Sequence, residues 1–174
     1  MRLIVAIAAA WLLGSGPAAA ASSWTEYTFP EDGFAIQFPA PPAKAAGRYQ
    51  STEFDSLPAT VYSAEAGDIQ YRVTVVNLAG HGIEGASFVS GAGYVLMREG
   101  DVVFHDFPRV GLRGDAVYGT GIVVDTPDGR RLRTSFYFTK GRFYRVDAVI
   151  LPARGDLDQA VPARFDQTLR FDVP

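Results

Sequence analysis

Gly80-His81-Gly82-Ile83-Glu84-Gly85 has the G-x-G-x-x-G spacing of a dinucleotide-binding loop, with Asp101 about twenty residues downstream. Glycines so spaced let the backbone approach a pyrophosphate seated on a helix N-terminus. Two features argue against that chemistry. Leu78 and Ala79 separate the preceding strand pattern from the first glycine, and no further βα unit follows to build a doubly wound sheet. The chain has 18 glycines, and a loop from strand to helix accounts for these three, so no cofactor is expected. His81 and His105 are the only histidines. A catalytic zinc takes three protein ligands, and His105 and Asp106, being adjacent on a strand, point to opposite faces, so no metal is expected either. Ser90 in Phe88-Val89-Ser90-Gly91-Ala92-Gly93 lacks the glycine two residues earlier that a nucleophile elbow needs. The Glu31-Asp32 pair sits in a turn, where acidic residues are ordinarily solvated.

The basic cluster is the least ordinary feature. Arg130, Arg131, Arg133, Lys140, Arg142 and Arg145 fall close together in an otherwise acidic chain. Lys140-Gly141 has the chemistry of a tight hairpin turn, which sets Tyr137 opposite Tyr144 and Phe138 opposite Phe143. In that register Arg131, Arg133 and Arg142 share one face with Tyr137 and Tyr144, while Arg145 points to the other, opposite Phe136. Arginine supplies charge-assisted hydrogen bonds and tyrosine apolar contact, so such a face suits an anionic ligand or an envelope protein. Arg131, Arg133, Tyr137, Arg142 and Tyr144 are therefore the candidate binding residues. The competing reading is a solvated sheet face, its arginine stems covering apolar residues and its charge balanced by Asp125, Asp128 and Asp147. A cleft gathering a histidine, a serine and a carboxylate favours a hydrolase instead. An open sheet face carrying the arginines favours binding.

The elements that must position these residues are mostly strands. Phe34, Ile36 and Phe38 alternate with the period of a half-buried strand. With Trp24 to Phe29 and the turn Pro30-Glu31-Asp32-Gly33 they form a hairpin. Pro39 to Pro42 and the small residues after it are expected to be an extended loop. Strand patterns cover Tyr49 to Phe54, Ala59 to Ala64 and Ile69 to Leu78. Between 80 and 100, Phe88, Val89, Ala92, Val95 and Leu96 fall at helical spacing. A meander follows over Val102 to Phe107, Ala116 to Asp125, Arg131 to Thr139 and Arg142 to Leu151, with a turn at Thr126-Pro127-Asp128-Gly129. A closing helix at about Asp158 to Leu169 carries Val161, Phe165 and Leu169 on one face, with Pro162 in its first turn. The expected class is α+β: one antiparallel sheet with two helices packed on it.

Composition bounds where such a domain works. Arg2, the apolar run Leu3 to Leu13, the breakers Gly14, Gly16 and Pro17, and alanines up to Ala20 and Ala21 make a cleavable secretory leader over residues 1–21. The run is shorter than the roughly 20 apolar residues that cross a bilayer, so membrane contact is expected only through the leader. No arginine pair precedes it, which implies export of the unfolded chain. Residues 22–174 then form a single periplasmic or secreted domain. The chain has no cysteine and a net charge of −3, which removes disulfides and thiolate chemistry and offers no general attraction to nucleic acid. A monomer or weakly associating protein is expected.

Several of these segments together resemble a known group. Trp24-x-x-Tyr27 precedes Asp32-Gly33-Phe34-x-Ile36-x-Phe38-Pro39-x-x-Pro42. Later come Gly141-Arg142-Phe143-Tyr144-x-Val146 and Arg164-Phe165-x-x-Thr168-Leu169-x-Phe171. Over nearly the whole exported chain this is similar to the small bacterial periplasmic proteins of the PsbP-like fold, which the Ran-binding Mog protein shares. The resemblance implies helices on both sides of an antiparallel sheet. It also implies a non-enzymatic binding or assembly role with no catalytic residues to transfer. The alternative from a different class is a periplasmic hydrolase with an unrecognised site.

Overall fold

The structure, a computed structural model, describes residues 24–52, 54, 56–111, 116–151 and 160–171. The expected leader and its cleavage site near Ala20 or Ala21 lie outside the described residues. Strand β1 (Thr25–Phe29) pairs with β2 (Phe34–Phe38) through a single 3-10 turn over Pro30–Asp32. Proline presets the φ of that turn, and Gly33 closes it in the left-handed region at φ 71°. The other side of β2 takes the short C-terminal strand β11 (Arg170–Phe171). The two ends of the domain thus build a three-stranded sheet of their own.

The expectation of a single sheet is corrected accordingly. The other strands form an eight-stranded antiparallel sheet: β3 (Ala43–Tyr49), β4 (Leu57–Ala66), β5 (Ile69–Asn77), β10 (Arg142–Ile150), β9 (Arg131–Thr139), β8 (Val117–Asp125) and β6 (Asp101–Asp106), in that spatial order. Strand β7 (Arg109–Val110) also pairs with β8. The expected strand at Tyr49 to Phe54 is corrected as well. The ladder runs earlier, through the small residues that read as loop, and Ser51 and Phe54 close a turn. An edge strand needs partners on one side only, so Ala-Lys-Ala-Ala-Gly can pair there. A Cβ at Gly47 would stand 2.9 Å from Val61 Cγ2, so a larger residue there displaces the Val61 side chain.

Helix α1 (Gly85–Met97) lies against β8 and β9, burying Phe88, Val89, Ala92, Gly93 and Leu96. Helix α2 (Ala160–Gln167) lies on the opposite side, with Pro162 in its first turn and Phe165 buried; Val161 is exposed, and Leu169 is buried just past the helix end. The central hairpin β9–β10 therefore has two inner faces. Leu132, Phe136, Phe143 and Val149 enter the core under α1. Tyr137, Tyr144, Val146 and Ala148 enter the core shared with the small sheet and α2. Burial on both faces explains why these strands read as nearly continuous apolar runs.

The tightest fit of α1 is at its first residue. A Cβ on Gly85 would sit 2.1 Å from the Phe138 ring, closer than atoms approach, so helix or ring must move. Gly85→Ala is expected to lower stability by about 1–3 kcal/mol, the usual cost of overpacking. Urea unfolding reads this as a lower midpoint, and an unchanged midpoint contradicts this seating of α1.

Candidate functional site

The glycine motif has local structural work. Gly80 and Gly82 take positive φ, 84° and 68°, as the chain leaves β5, and Gly85 admits Phe138. Glu84 is the N-cap residue of α1, and its carboxylate accepts a hydrogen bond from the Ser87 hydroxyl at 2.9 Å. An acidic group thus occupies the helix end that a pyrophosphate needs. His81 lies edge-on to Phe54 at 5.8 Å. Ser90 and His105 do line one groove, together with Phe107 and Thr120, but no carboxylate lines it. Among the described residues no three His, Asp or Glu side chains gather as a metal site.

The hairpin register is as expected: Tyr137 pairs with Tyr144, Phe138 with Phe143, and Arg145 faces Phe136 across the strands. The exposed arginine–tyrosine face is a correction. Tyr137 and Tyr144 are 0% and 1% exposed, because the small sheet and α2 cover that side of the hairpin. The Tyr144 hydroxyl donates to the Asp32 carbonyl at 2.8 Å, and its ring packs on Phe34 and Phe171. Arg142 Nη2 donates to the Glu31 carbonyl at 3.2 Å. Arg131 is buried and grips Asp125 bidentately, Nε to Oδ1 at 2.6 Å and Nη2 to Oδ2 at 2.7 Å. That pairing holds the Asp125 carboxyl below its usual range. Four of the five candidates therefore fasten the layers or neighbouring strands together.

The fifth, Arg133, lines a polar cleft of about 300 Å³ with Tyr137, Asp106, Arg109 and Asp166. The Tyr137 hydroxyl donates to Asp166 Oδ1 at 2.7 Å and so ties α2 to the sheet. Burial pushes the Asp166 carboxyl above its ordinary value, and nearby Asp106 adds to the effect. Hydrogen bonds from Tyr137 and Ser135 and the charge of Arg133 work the other way without overcoming it.

Two further features were not anticipated as sites. One is a pair of arginines, Arg72 and Arg145, on the wholly buried Asp147. Its signal in the sequence is an aspartate in the middle of the apolar run Phe143 to Ile150. The other is the outer strand β6, where Val102, Val103 and Phe104 are 43%, 44% and 43% exposed. Its signal is the lack of any Lys, Arg or Pro between Asp101 and Asp106.

Comparison with known proteins agrees with this architecture. The chain resembles the solution structure of cyanobacterial PsbP (CyanoP) from Synechocystis sp. PCC 6803, with a TM-score of 0.57 at 16% identity over 91% of this chain and 98% of that one. The domain has a PsbP-like fold, α+β with antiparallel sheets and two helices. No family model matches the sequence, and no curated protein matches it, as expected when the shared segments are turn residues and core aromatics.

The buried carboxyl under α2 has a measurable consequence. Its folded pKa lies above the unfolded value of 3.8, so the native state binds this proton more tightly than the unfolded chain does. Its favourable contribution is complete below the unfolded value and fades as pH rises through the folded one. Asp166→Asn keeps the shape and removes the titration. The variant is expected to gain stability relative to wild type as pH rises, by about 1.4 kcal/mol per unit by which the folded value is raised. Urea midpoints across a pH series check this, and a difference that stays flat contradicts it.

Proposed function

We propose that this chain is an exported, non-enzymatic binding or assembly module that docks an extended segment of a protein partner along the outer edge of β6. The observation that carries the reading is the contrast between the two edges of the large sheet. Strand β3, at one edge, bears Lys44 and Arg48, and Lys44 pairs with Glu31 at 2.7 Å. Charged residues of that kind are the ordinary protection against unwanted strand pairing. Strand β6, at the other edge, pairs with β8 and with no second strand among the described residues. It presents Val102, Val103 and Phe104 half exposed, with a register shift at Val103 that marks a bulge.

The ground beside β6 fits an incoming strand. Between the strand and α1 runs a groove of about 180 Å³ lined by Gly93, Tyr94, Met97, His105 and Phe107. Tyr94 and Phe107 are 61% and 73% exposed, and aromatics and methionine are the residue types enriched at protein interfaces. In β-augmentation the free edge supplies main-chain hydrogen bonds, and adjacent pockets select alternate side chains.

Charge decides the occupant. Asp101 and Asp106 stand at the two ends of β6. A second copy paired antiparallel along the strand sets Asp101 against Asp106, and like charges directly opposite are unfavourable. A short apolar segment with a basic residue at each end meets both carboxylates. The binding and assembly roles implied by the sequence resemblance support the same reading, as does the leader for a periplasmic or secreted site of action.

A hexapeptide with lysine at each end of a Val-Thr-Val-Thr core tests this, compared with its glutamate-ended counterpart. The lysine peptide is expected to slow amide exchange across residues 101–106 and to bind at least about tenfold more tightly, a difference of about 1.4 kcal/mol. Phe104→Lys is expected to abolish the preference. Equal binding of both peptides, or protection confined to other strands, overturns the proposal.

A further inference from the structure

We propose that the pocket above Asp147, at the β3–β5 end of the large sheet, binds a single oxyanion, a carboxylate or phosphate group. The site is built on a buried charge. Asp147 is 0% exposed, and both of its oxygens are engaged. Arg145 Nε donates to Oδ1 at 2.8 Å and to Oδ2 at 3.1 Å, Arg72 Nε donates to Oδ2 at 3.3 Å, and the Thr134 hydroxyl donates to Oδ1 at 2.8 Å. Burial by itself disfavours this charge, yet Arg145 and Arg72 outweigh it and hold the carboxyl below its ordinary value. The register places the two arginines in neighbouring rows, Arg72 opposite Asp147 and Thr74 opposite Arg145.

The chemistry of the lining points to an anion. About 180 Å³ of space is bounded by Arg48, Tyr49, Arg72, Thr74, Arg145 and Asp147. Arg72 and Arg145 meet one carboxylate there, and Glu99 within electrostatic reach of Arg145 offsets the remaining charge. Arg48 commits its guanidinium to the Ser56 hydroxyl and carbonyl, so recognition rests on placed donors rather than on net charge. Both arginines hold Asp147 through Nε, so these bonds do not consume their Nη groups. Burial pushes the Tyr49 phenol up to about 12, so it stays a neutral hydrogen-bond donor at physiological pH. The acceptor in the lining, Asp147, is already satisfied, and the side chains left over are mainly donors. Arginine forks match carboxylate and phosphate oxygens. The side chains of Arg72 and Arg145 are 37% and 20% exposed, so an anion reaches them from solvent. The volume suits one such group rather than a drug-sized ligand, which takes roughly 300 Å³ or more. α1 packs mainly over β8 and β9, and its Phe88 meets the Tyr49 ring at the pocket's rim, centroids 6.2 Å apart.

The test is an NMR titration of the arginine Nε–Hε and backbone amide signals, using inorganic phosphate and acetate in low-chloride buffer. Saturable shifts are expected at Arg72, Arg145 and residues 47–49. Arg72→Gln is expected to weaken binding at least about tenfold but also disturbs the support of Asp147. Tyr49→Phe leaves that support intact and keeps the ring packed on Phe88 and Phe143, so it tests the pocket without touching the ion pairs, and it is expected to weaken binding severalfold. Arg130→Gln, at an exposed pair with Asp128 elsewhere, is the control for general charge. A parallel titration with vesicles of anionic phospholipid separates sources: shifts with free phosphate and none with vesicles assign a soluble anion, and the converse assigns a headgroup. Shifts that do not saturate, or equal weakening by Tyr49→Phe and Arg130→Gln, overturn the proposal. None of these outcomes depends on docking at β6.

Discussion

Three tyrosine hydroxyls join the layers of this domain. Tyr62 donates to Asp32 Oδ2 at 2.6 Å, Tyr144 to the Asp32 carbonyl at 2.8 Å and Tyr137 to Asp166 Oδ1 at 2.7 Å. The first two hold the β1–β2 turn on the large sheet, and the third holds α2. Each ring is buried, so each hydroxyl must find a partner inside the protein, and leaving one unmatched costs about 1–3 kcal/mol. Around these bonds the seam is aromatic: Phe29 and Phe34 pack on Tyr62, and Phe38 on Phe165, at centroid distances of 4.1, 5.4 and 5.0 Å. The large sheet thus buries one face against the first and last segments of the chain and much of the other against α1. The surfaces left for a partner are its ends and edges.

That constraint explains what was legible in the sequence. The Lys140-Gly141 turn, with φ of 48° and 73°, specifies the β9–β10 register, so the pairing of Tyr137 with Tyr144 was readable from turn chemistry. Strands β5, β8, β9 and β10 were readable from their apolar runs, and α1 from its helical spacing. Strand β3 was not, because an edge strand of alanine, lysine and glycine carries no period-two signal. Nor was β11, two residues long, whose pairing with β2 is a contact between opposite ends of the chain. The candidate site failed for a related reason. Alternation reports which residues share a face and is silent on what covers that face. Tyrosines beside arginines read as an interface, and they are one, but inside the molecule.

The charged groups divide by what they do for the fold. Arg131 on Asp125 is a cross-strand clasp. Asp147 is a buried carboxylate with more cation around it than it needs, and such a charge is tolerated only while its partners remain. Strand β6 is the reverse, a surface with more apolar area than an edge ordinarily exposes. Neither the Asp147 pocket nor the β6 edge is used by the seam, and together they make the account of a binding module specific about place and chemistry.

The central claim is that a partner meets β6 and not the arginine–tyrosine end of the β9–β10 hairpin. Site-directed photocrosslinking in the intact cell envelope tests it most directly, with a photoreactive residue replacing Phe104 in one variant and Arg142 in another. The account predicts a discrete cross-linked adduct from position 104 and none from position 142. An adduct from position 142 with none from position 104 contradicts it.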